Sequence, residues 1–415
     1  MRIPIETPVA RRWAVDAVLY GTSALFAGVT AAAAAIPLQR SWGRAAAWPY
    51  GIAAVIAVIA SWSTARSSGE RGWRDRARAI LVLTVFGTTA LAPMIAEATR
   101  RTDDPGAHAQ SEVILVEEAA RATLRGHDPY AADYRDGPLS ERPVSTQLHF
   151  PYLPAMLAFG VPRALDGPTA WSDARAWFTI VALGFAGFSL LRMRAAPDAR
   201  IRVFQVLFAL PTGALLLATG GVDVPVIAML LATAVLARSE RPIAAGVLGG
   251  LALAAKQTTI LVLPFIVIAI ARGLPRRRFV LAAGSVAAAL IVPFAVWDLS
   301  AFVEDAILFP LNLGQGTSAA ATPTLGSLLL DLVPASRTAV TVLLVAVIAV
   351  VTGLLLFRGR SPSMAQACAR AAGAFLTAIA LAPAARVGYL IYPANLIVWA
   401  IAFRGSDPAD VEAEP

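Results

Sequence analysis

Residues 203–237 read VFQVLFALPTGALLLATGGVDVPVIAMLLATAVLA and contain a single charged side chain, that of Asp223. A helix that crosses a bilayer needs roughly 17–25 predominantly apolar residues, so this stretch is long enough for two short ones. Gly220-Gly221 is a turn signal near its middle, and we predict apolar helices at 202–219 and 223–237. The stretch therefore predicts two membrane helices that meet with almost no loop between them.

The rest of the chain has the same apolar character. Of its 415 residues, 57% are hydrophobic and 15% are charged, and the mean hydropathy is +0.65. Soluble domains carry about 25% charged residues, so a chain this apolar needs a membrane as its solvent. The predicted fold class is all-α, a polytopic transmembrane helix bundle of about 12 spans. The other predicted spans are 14–36, 46–64, 79–97, 174–193, 242–256, 258–271, 279–297, 337–357, 369–384 and 388–403.

Arginine clusters in alternate short loops predict the orientation of the bundle. Basic loops face the cytoplasm, which makes both termini cytoplasmic in a multi-pass protein of the plasma membrane. The same clustering explains the net charge of +8 without nucleic acid. The scheme requires that Phe150–Leu165, with its three prolines, is a re-entrant or interfacial element and does not span. The clusters begin at Arg66, Arg192, Arg238, Arg272 and Arg358.

This topology divides the chain into three parts. Residues 1–78 hold two N-terminal helices and a basic loop, residues 79–404 form the main module, and residues 405–415 form an acidic cytoplasmic tail. No acidic residue lies near the middle of a predicted span, which disfavours an ion-coupled transporter. The single cysteine, Cys368, excludes a disulfide framework and a cysteine-ligated metal. The outer segments are 98–173, 220–222, 257, 298–336 and 385–387, and they collect the polar candidates.

The first outer segment contains a predicted amphipathic helix over Ser111–Arg125. Ser111 is a suitable N-cap and Gly126 a suitable stop, and we expect the helix to lie in the membrane interface. Glu112 falls in its first turn, where it either complements the helix dipole or acts as a general base for a hydroxyl nucleophile. The apolar face is Val113, Val116, Ala120 and Leu124, and the charged face is Glu117, Glu118, Arg121 and Arg125.

Four polar residues at the outer boundary of the spans have two interpretations each. Lys256 is the one lysine among 35 basic residues, and it is either a snorkelling anchor or a compact charge that binds phosphate. Arg386 lies on the outer side, where arginine is disfavoured, and it is either a functional counter-ion or an anchor. Asp223 caps a helix, contacts a ligand, or does both. His149 stands beside a Pro-Tyr turn, either as a structural cap or as part of a site.

The order of several motifs resembles a known family. Glu112 lies fourteen residues before Gly126, which opens Gly126-His127-Asp128-Pro129-Tyr130, and Phe150-Pro151-Tyr152-Leu153-Pro154 follows. This pattern resembles the first outer loop of GT-C membrane glycosyltransferases, most closely the actinobacterial polyprenyl-phosphate-mannose-dependent mannosyltransferases. The family's usual aspartate is a glutamate here, and the loop follows the third predicted span instead of the first. The acidic residues Asp103 and Asp104 therefore remain rivals of Glu112.

The resemblance implies transfer of a sugar from a polyprenyl-phosphate donor on the outer leaflet. The sugar would be mannose, another hexose or arabinose, and the acceptor a lipid or a cell-envelope glycan. Glu112 would be the general base, and Lys256, Arg386 and His149 would bind the donor phosphate. No cofactor is implied, and no residue pattern supports a divalent metal, which stays open. The predicted substrate-binding residues are His127, Asp128, Tyr130, Tyr152, Asp223, Gln257, Asn312 and Tyr389.

Two other functions fit the sequence. A transporter or flippase of lipid-linked sugars would use the same outer groups to bind its cargo, but it should also show polar residues along a path to the inner side, and few occur. A scaffold with this fold and no activity is the third interpretation. The implied partners are a lipid-linked sugar donor, a lipid or glycan acceptor and the membrane, with no nucleic acid.

Overall fold

A computed structural model of the chain describes residues 8–66, 71–315, 322–333, 336–359 and 361–404. The predicted acidic tail, 405–415, lies outside the described residues. The described part is a bundle of helices, which confirms the all-α prediction. In the first half the helices are α1 (Pro8–Ala33), α2 (Pro37–Arg66), α3 (Arg71–Phe86), α4 (Ala92–Arg100), α5 (Ser111–Leu124), α6 (Val144–Leu148), α7 (Val161–Asp166), α8 (Ala174–Arg192), α9 (Pro197–Phe204) and α10 (Pro211–Thr219).

The second half continues with helices separated by short breaks. They are α11 (Asp223–Arg238), α12 (Pro242–Ala255), α13 (Leu263–Ala269), α14 (Leu274–Trp297), α15 (Leu299–Val303), α16 (Leu325–Leu332), α17 (Arg337–Phe357), α18 (Met364–Leu381) and α19 (Ile391–Arg404). The breaks in the two halves are short stretches of 3₁₀-helix (Pro154–Phe159, Gln257–Leu261, Val387–Leu390) or of π-helix (Gly87–Leu91, Gln205–Ala209, Glu304–Leu308).

Eight helices of the described chain are long and apolar enough to cross a membrane. A ninth span results if the bent pair Pro197–Ala209 and Pro211–Thr219, which meets at 40°, crosses as one unit. The structure thus has eight or nine candidate spans against the 12 predicted. The eight are Val9–Ala33, Pro37–Ala65, Asp75–Arg100, Ala174–Arg192, Leu274–Trp297, Arg337–Phe357, Met364–Leu381 and Val387–Arg404.

The difference comes from three predicted spans in the middle of the chain. Their helices are shorter than the roughly 17 residues that a span needs. The three predicted spans are 223–237, 242–256 and 258–271. The longest, α11, has 16 residues and is about 24 Å long, whereas the hydrocarbon core is about 30 Å thick. All of α11 from Asp223 to Leu236 is buried, so its apolar character serves packing against protein. The length of these helices therefore does not show the predicted count of 12 spans.

The first outer segment contains two elements that were predicted from the sequence, and the structure agrees with one prediction more fully than with the other. Phe150–Leu165 contains the 3₁₀ turn and most of the six-residue α7, both too short to span, as predicted. The helix α5 begins and ends close to the predicted bounds, but Gln110, not Ser111, occupies the N-cap position. One residue on each predicted face departs from the pattern, since Glu117 is buried in an ion-pair cluster and Leu124 is exposed. Residues 113–117 of α5 are therefore buried on every side, whereas the end of the helix is partly exposed.

The predicted outer segments meet at one end of the bundle, which we call the site end. The Gln110 N–H donates to the Thr219 carbonyl at 2.9 Å, and the Leu153 N–H donates to the Ala255 carbonyl at 3.3 Å. A further bond from the Thr322 N–H to the Ala385 carbonyl, 3.1 Å long, joins the remaining loops. Residues far apart in the chain are thereby brought into one neighbourhood.

An ionic cluster occupies the opposite end. Asp16 of α1 is buried and accepts hydrogen bonds from Arg78 of α3 at 2.5 Å and from Arg202 of α9 at 2.7 Å. Asp198 also contacts Arg78. These bonds link α1 to α3 and α9. They also compensate the charge of Asp16, because a buried carboxylate is stable only when its charge is paired.

Candidate active site

Glu112 and Arg386 form an ion pair at the site end. Glu112 lies in the first turn of α5, and Arg386 precedes the 3₁₀ turn Val387–Leu390. The Glu112 side chain is 12% exposed and the Arg386 side chain 40% exposed, so solvent and a ligand can reach the guanidinium. The sequence predicted these two residues separately, as a base and as a phosphate ligand. The structure brings them into direct contact.

Lys256 and Asp223 form a second, more buried ion pair. The Lys256 Nζ lies 2.5 Å from the Asp223 Oδ1, which also accepts a 2.8 Å hydrogen bond from the Tyr392 hydroxyl. That hydroxyl is in turn 2.9 Å from the Thr258 Oγ1. Asp223 makes no capping bond to α11, and Lys256 is 5% exposed, so neither the pure cap nor the snorkelling anchor describes these residues.

Two tyrosine rings flank the Lys256 ammonium. Its Nζ is 5.3 Å from the centre of the Tyr389 ring and 5.8 Å from that of Tyr152, both within the range of a cation–π interaction. Tyr389 also belongs to the turn that begins at Arg386, through a 3.0 Å bond from its N–H to the Arg386 carbonyl. The turn from Arg386 to Tyr389 therefore connects the two ion pairs, and both tyrosines are predicted substrate-binding residues.

The short loop between α10 and α11 sets how closely α5 approaches this site. Gly220 has a φ of +112°, a conformation that residues with a Cβ rarely adopt. A Cβ there would also lie 2.0 Å from Cγ2 of Val113, the residue next to Glu112. Gly220 thus allows the start of α5 to pack directly on the loop that carries Asp223.

His149 and Asp305 form a third polar group nearby. The Asp305 Oδ1 is 2.7 Å from the His149 Nδ1, and its Oδ2 accepts a 2.7 Å bond from the Phe150 N–H. Burial raises the pKa of Asp305 to about 6, and these two hydrogen bonds limit the rise. The His149 ring stacks on Phe309 with a 4.1 Å centroid separation. Asp305 thus fixes the orientation of the His149 ring. His149 lies three residues before Tyr152, which flanks Lys256.

A family profile matches residues 150–402, more than half of the chain: that of glycosyltransferase family 87, GT87. This chain belongs to GT87. GT87 is a family of GT-C membrane glycosyltransferases, so the predicted superfamily and the transferase activity are confirmed, and the protein is an enzyme. Comparisons with curated proteins and with solved structures gave no match.

The GT87 segment contains only part of the site. Asp223, Lys256 and Arg386 lie within it, whereas Glu112 precedes it by almost forty residues. Gln257 lies within it too, and its Nε2 donates to the carbonyls of Pro151 at 3.1 Å and Ala306 at 3.3 Å, while its Oε1 is buried without a partner. Asn312, with a φ of +58°, ends the turn after Phe309 and is half-buried.

Three predicted substrate-binding residues lie at the other end of α5 from Glu112. His127 is exposed and Asp128 half-buried, just beyond the last turn of the helix. Fourteen helical residues put them about 21 Å from the first turn. Tyr130 is buried between Phe150 and Phe302, and its hydroxyl donates to the Tyr152 carbonyl at 2.9 Å. His127 and Asp128 therefore lie about one helix length from Glu112, and their role in substrate binding stays a prediction.

The rival bases Asp103 and Asp104 are exposed in the loop after α4. Neither has a side-chain hydrogen bond to the ion pairs described above, and Asp104 lies close enough to act electrostatically on Arg142. Across the described ranges, no group of three or more His, Cys, Asp or Glu residues is placed to hold a metal ion.

Sequence reasoning missed a buried charge cluster behind α5. Glu117 accepts two hydrogen bonds from Arg101, 2.9 and 2.6 Å long, and one from the Ala174 N–H. Asp173 pairs with both Arg101 and Arg175, and Arg175 also donates to the His108 carbonyl. Burial opposes the charge of Asp173, but its bonds with Arg175 outweigh burial and hold its pKa well below the usual range. This cluster fixes α5, and with it Glu112, against α8.

The other missed residues are Asp305, Tyr392 and Thr258. Each lies in or near a predicted outer segment, and this position in the chain is the signal by which the three residues could have been found. Their partners are 156, 169 and 134 residues away for the bonds His149–Asp305, Asp223–Tyr392 and Thr258–Tyr392. Contacts over such separations do not follow from local pattern.

Proposed function

We propose that this GT87 enzyme transfers a sugar from a polyprenyl-phosphate donor to a lipid or cell-envelope glycan acceptor, with mannose as the first sugar to test. The observation that carries the proposal is the pair of cations at one end of a membrane bundle. Lys256 and Arg386 share a tyrosine-lined site with the carboxylate Glu112. A lipid phosphate needs cations at the membrane boundary, and an acceptor hydroxyl needs a base beside them.

The chemistry assigns one role to each group. Glu112 takes the proton of the acceptor hydroxyl, whose oxygen forms a bond to the anomeric carbon of the sugar. The bond between that carbon and the phosphate oxygen breaks on the opposite face, so the configuration inverts. The electron pair leaves with the polyprenyl phosphate, and Arg386 and Lys256 stabilise its charge, with His149 as a further contact of the phosphate. Tyr152, Tyr389, Asp223 and Gln257 line the sugar.

In this proposal the carboxylate partners prepare the site for the donor. Arg386 pairs with the Glu112 carboxylate, and Asp223 compensates Lys256, before the donor phosphate binds. When the donor phosphate binds Arg386, it competes with Glu112 and loosens that ion pair. The base then becomes free to approach the acceptor.

The orientation belongs to the same proposal. The arginine clusters support cytoplasmic termini and a site end that faces outward from the plasma membrane. A polyprenyl-phosphate sugar in the outer leaflet would reach Lys256 and Arg386 without leaving the membrane. No nucleotide-binding loop of the Gly-rich type occurs in the sequence, which also supports a lipid-linked donor.

The test is transfer by the purified protein in lipid nanodiscs. Polyprenyl phosphates carrying labelled mannose, glucose or arabinose are supplied with a cell-envelope lipid extract. We expect label in the extract and release of free polyprenyl phosphate, with one donor preferred. The corresponding nucleotide sugars alone should give no product. Product formed from a nucleotide sugar with no lipid-linked donor present would contradict the proposal.

A further inference from the structure

A polar cavity opens at the C-terminal end of α5, away from the ion pairs. Its volume is about 570 Å³, and it is lined by Glu118, Arg121, Arg125, His127, Asp128 and Asp136 among others. Specific sites for small molecules in proteins have volumes of roughly 300–1,000 Å³, so the cavity is large enough for sugar units. The residues that line it lie between α4 and α8 in the chain, and this stretch contains no candidate span.

The wall of this cavity is fixed by its own backbone. Gly126 has a φ of +81°, which ends α5, and the Tyr130 N–H donates to the Asp128 Oδ1 at 2.9 Å. The Tyr134 hydroxyl donates to the Pro129 carbonyl at 2.5 Å, and its N–H donates to the Gln147 carbonyl at 2.9 Å. A wall held in this way is preorganised for a ligand and loses little entropy on binding.

Asp128 presents an unused hydrogen-bond acceptor here. Its Oδ2 is shielded from solvent and has no hydrogen-bond partner, although its Oδ1 is satisfied. Buried polar atoms without a partner are rare, and each one requires an explanation. A rotation of the carboxylate toward the cavity would let Oδ2 accept a hydrogen bond from a ligand hydroxyl.

The charges of the lining identify the kind of ligand. Four carboxylates and two guanidinium groups line the cavity, and Arg135 pairs with Asp133 beside it, so one net negative charge remains and disfavours a lipid phosphate. The lining offers both acceptors and donors, and the Glu118–Arg121 pair, 2.5 Å long, presents the two together. Neutral polyols such as glycans carry hydroxyls that both donate and accept.

We propose that this cavity binds an internal sugar unit of a neutral glycan acceptor whose terminal hydroxyl reacts near Glu112. The proposal rests on the glycosyltransferase function proposed above. The cavity lies about one length of α5, roughly 21 Å, from Glu112, so an acceptor must have several sugar units to reach both. The cavity also lies outside the GT87 segment, 150–402. Features that are particular to this chain's acceptor are expected outside the segment that the family shares.

Binding without donor provides the first test. The purified protein in nanodiscs is titrated with neutral oligosaccharides of mannose and of glucose, from monomer to hexamer. We expect affinity to rise with length, and the double variant His127→Ala/Asp128→Asn to lose about tenfold in affinity for the longest oligomer. Asp166→Asn, a change of an exposed acid at the end of α7, is the matched control and should bind normally. Equal binding by wild type and double variant, or no binding by either, would overturn the proposal.

Turnover separates this proposal from the function on which it rests. With lipid-linked donor present, the double variant should have a raised KM for long acceptors, an unchanged kcat, and an unchanged KM for the donor and for a monosaccharide acceptor. A merely structural role would lower turnover with short and long acceptors alike, and that result would contradict the cavity assignment. If oligosaccharides bind at the cavity but wild type transfers no sugar from any lipid-linked donor, the proposed function fails and the binding site stands.

Discussion

At the scale of single residues, the contact between Glu112 and Arg386 gives the proposed base a measurable signature. Glu112→Gln keeps the shape of the side chain but cannot accept a proton, so turnover should fall by about 10²–10⁴. Donor binding should not weaken, because Arg386 loses a competing carboxylate. Since this pair is partly exposed, we expect a gain of severalfold at most in affinity for polyprenyl phosphate. Turnover and equilibrium binding are measured on the same preparation.

A different role for Glu112 predicts a different result. If it only complements the dipole of α5, Glu112→Gln should cost at most about 1 kcal/mol in stability and leave turnover largely intact. Near-normal turnover together with a collapse in Asp103→Asn or Asp104→Asn would move the base into the exposed loop after α4. The ion pair with Arg386 would then be structural.

Lys256 requires a paired design because it is buried beside Asp223. Lys256→Met alone leaves a buried carboxylate with only the Tyr392 hydroxyl as a partner, and loss of one member of a buried pair costs about 3–5 kcal/mol. We therefore expect a low folded yield for the single variant. The double variant Lys256→Met/Asp223→Asn removes both charges and should recover much of the yield while binding the donor phosphate poorly.

The conservative change completes this test. Lys256→Arg keeps the charge but places a planar, larger group between the Tyr152 and Tyr389 rings, so we expect partial function at most. Donor affinity is measured by equilibrium titration and folded yield by size-exclusion chromatography. Wild-type donor affinity in the double variant would assign Lys256 to packing and not to the substrate.

At the scale of elements, α5 illustrates what local pattern can and cannot predict. The helical spacing of Val113, Val116 and Ala120 correctly located the helix, because these residues are buried. The same pattern placed Glu117 on a polar face, and this was wrong because Arg101 and Asp173 form a buried charge cluster around it. A charged residue in a sequence gives no sign of whether its partner is water or a distant arginine.

The packing of α5 on Gly160 gives a prediction about the stability of this element. A Cβ at Gly160 would lie 2.2 Å from the Val116 carbonyl oxygen and 2.8 Å from the Glu117 Cα. Gly160→Ala must push α5 away, so we expect a loss of about 1–3 kcal/mol, seen as a lower melting temperature in detergent. Gly187→Ala in α8, where nothing lies within 4 Å, is the matched control and should be neutral or slightly stabilising. Equal melting of the two variants would contradict this packing.

At the scale of the whole molecule, the sequence predicted the class of fold better than the number of spans. Apolar composition and length identify helices such as α14 and α17, which stay largely uncovered by other helices. They do not decide the count at α11, whose 16 residues are short for a span and are buried in protein from Asp223 to Leu236. Likewise, the site was predicted as a set of candidates, and the pairs Glu112–Arg386 and Lys256–Asp223 came only from the three-dimensional arrangement.

The orientation of the bundle is the prediction on which the location of the reaction depends. Ser140 is exposed in the long loop between α5 and α8, and Ala196 is exposed between α8 and α9. The helix α8 runs from the site end to the opposite end, so the two positions should lie on opposite sides of the membrane. Cys368 is buried, and its replacement by alanine removes the remaining thiol.

In that background, Ser140→Cys should react with a membrane-impermeant thiol reagent added to intact cells. Ala196→Cys, which leaves every arginine in place, should react only after lysis. This outcome follows from the arginine clusters, since moving several of them outward would violate the rule that basic loops stay in the cytoplasm. The reverse pattern would put the site end in the cytoplasm, where the donor would have to lie in the inner leaflet. Labelling of both positions from outside would mean that α8 does not cross, and the candidate spans would then have to be reassigned.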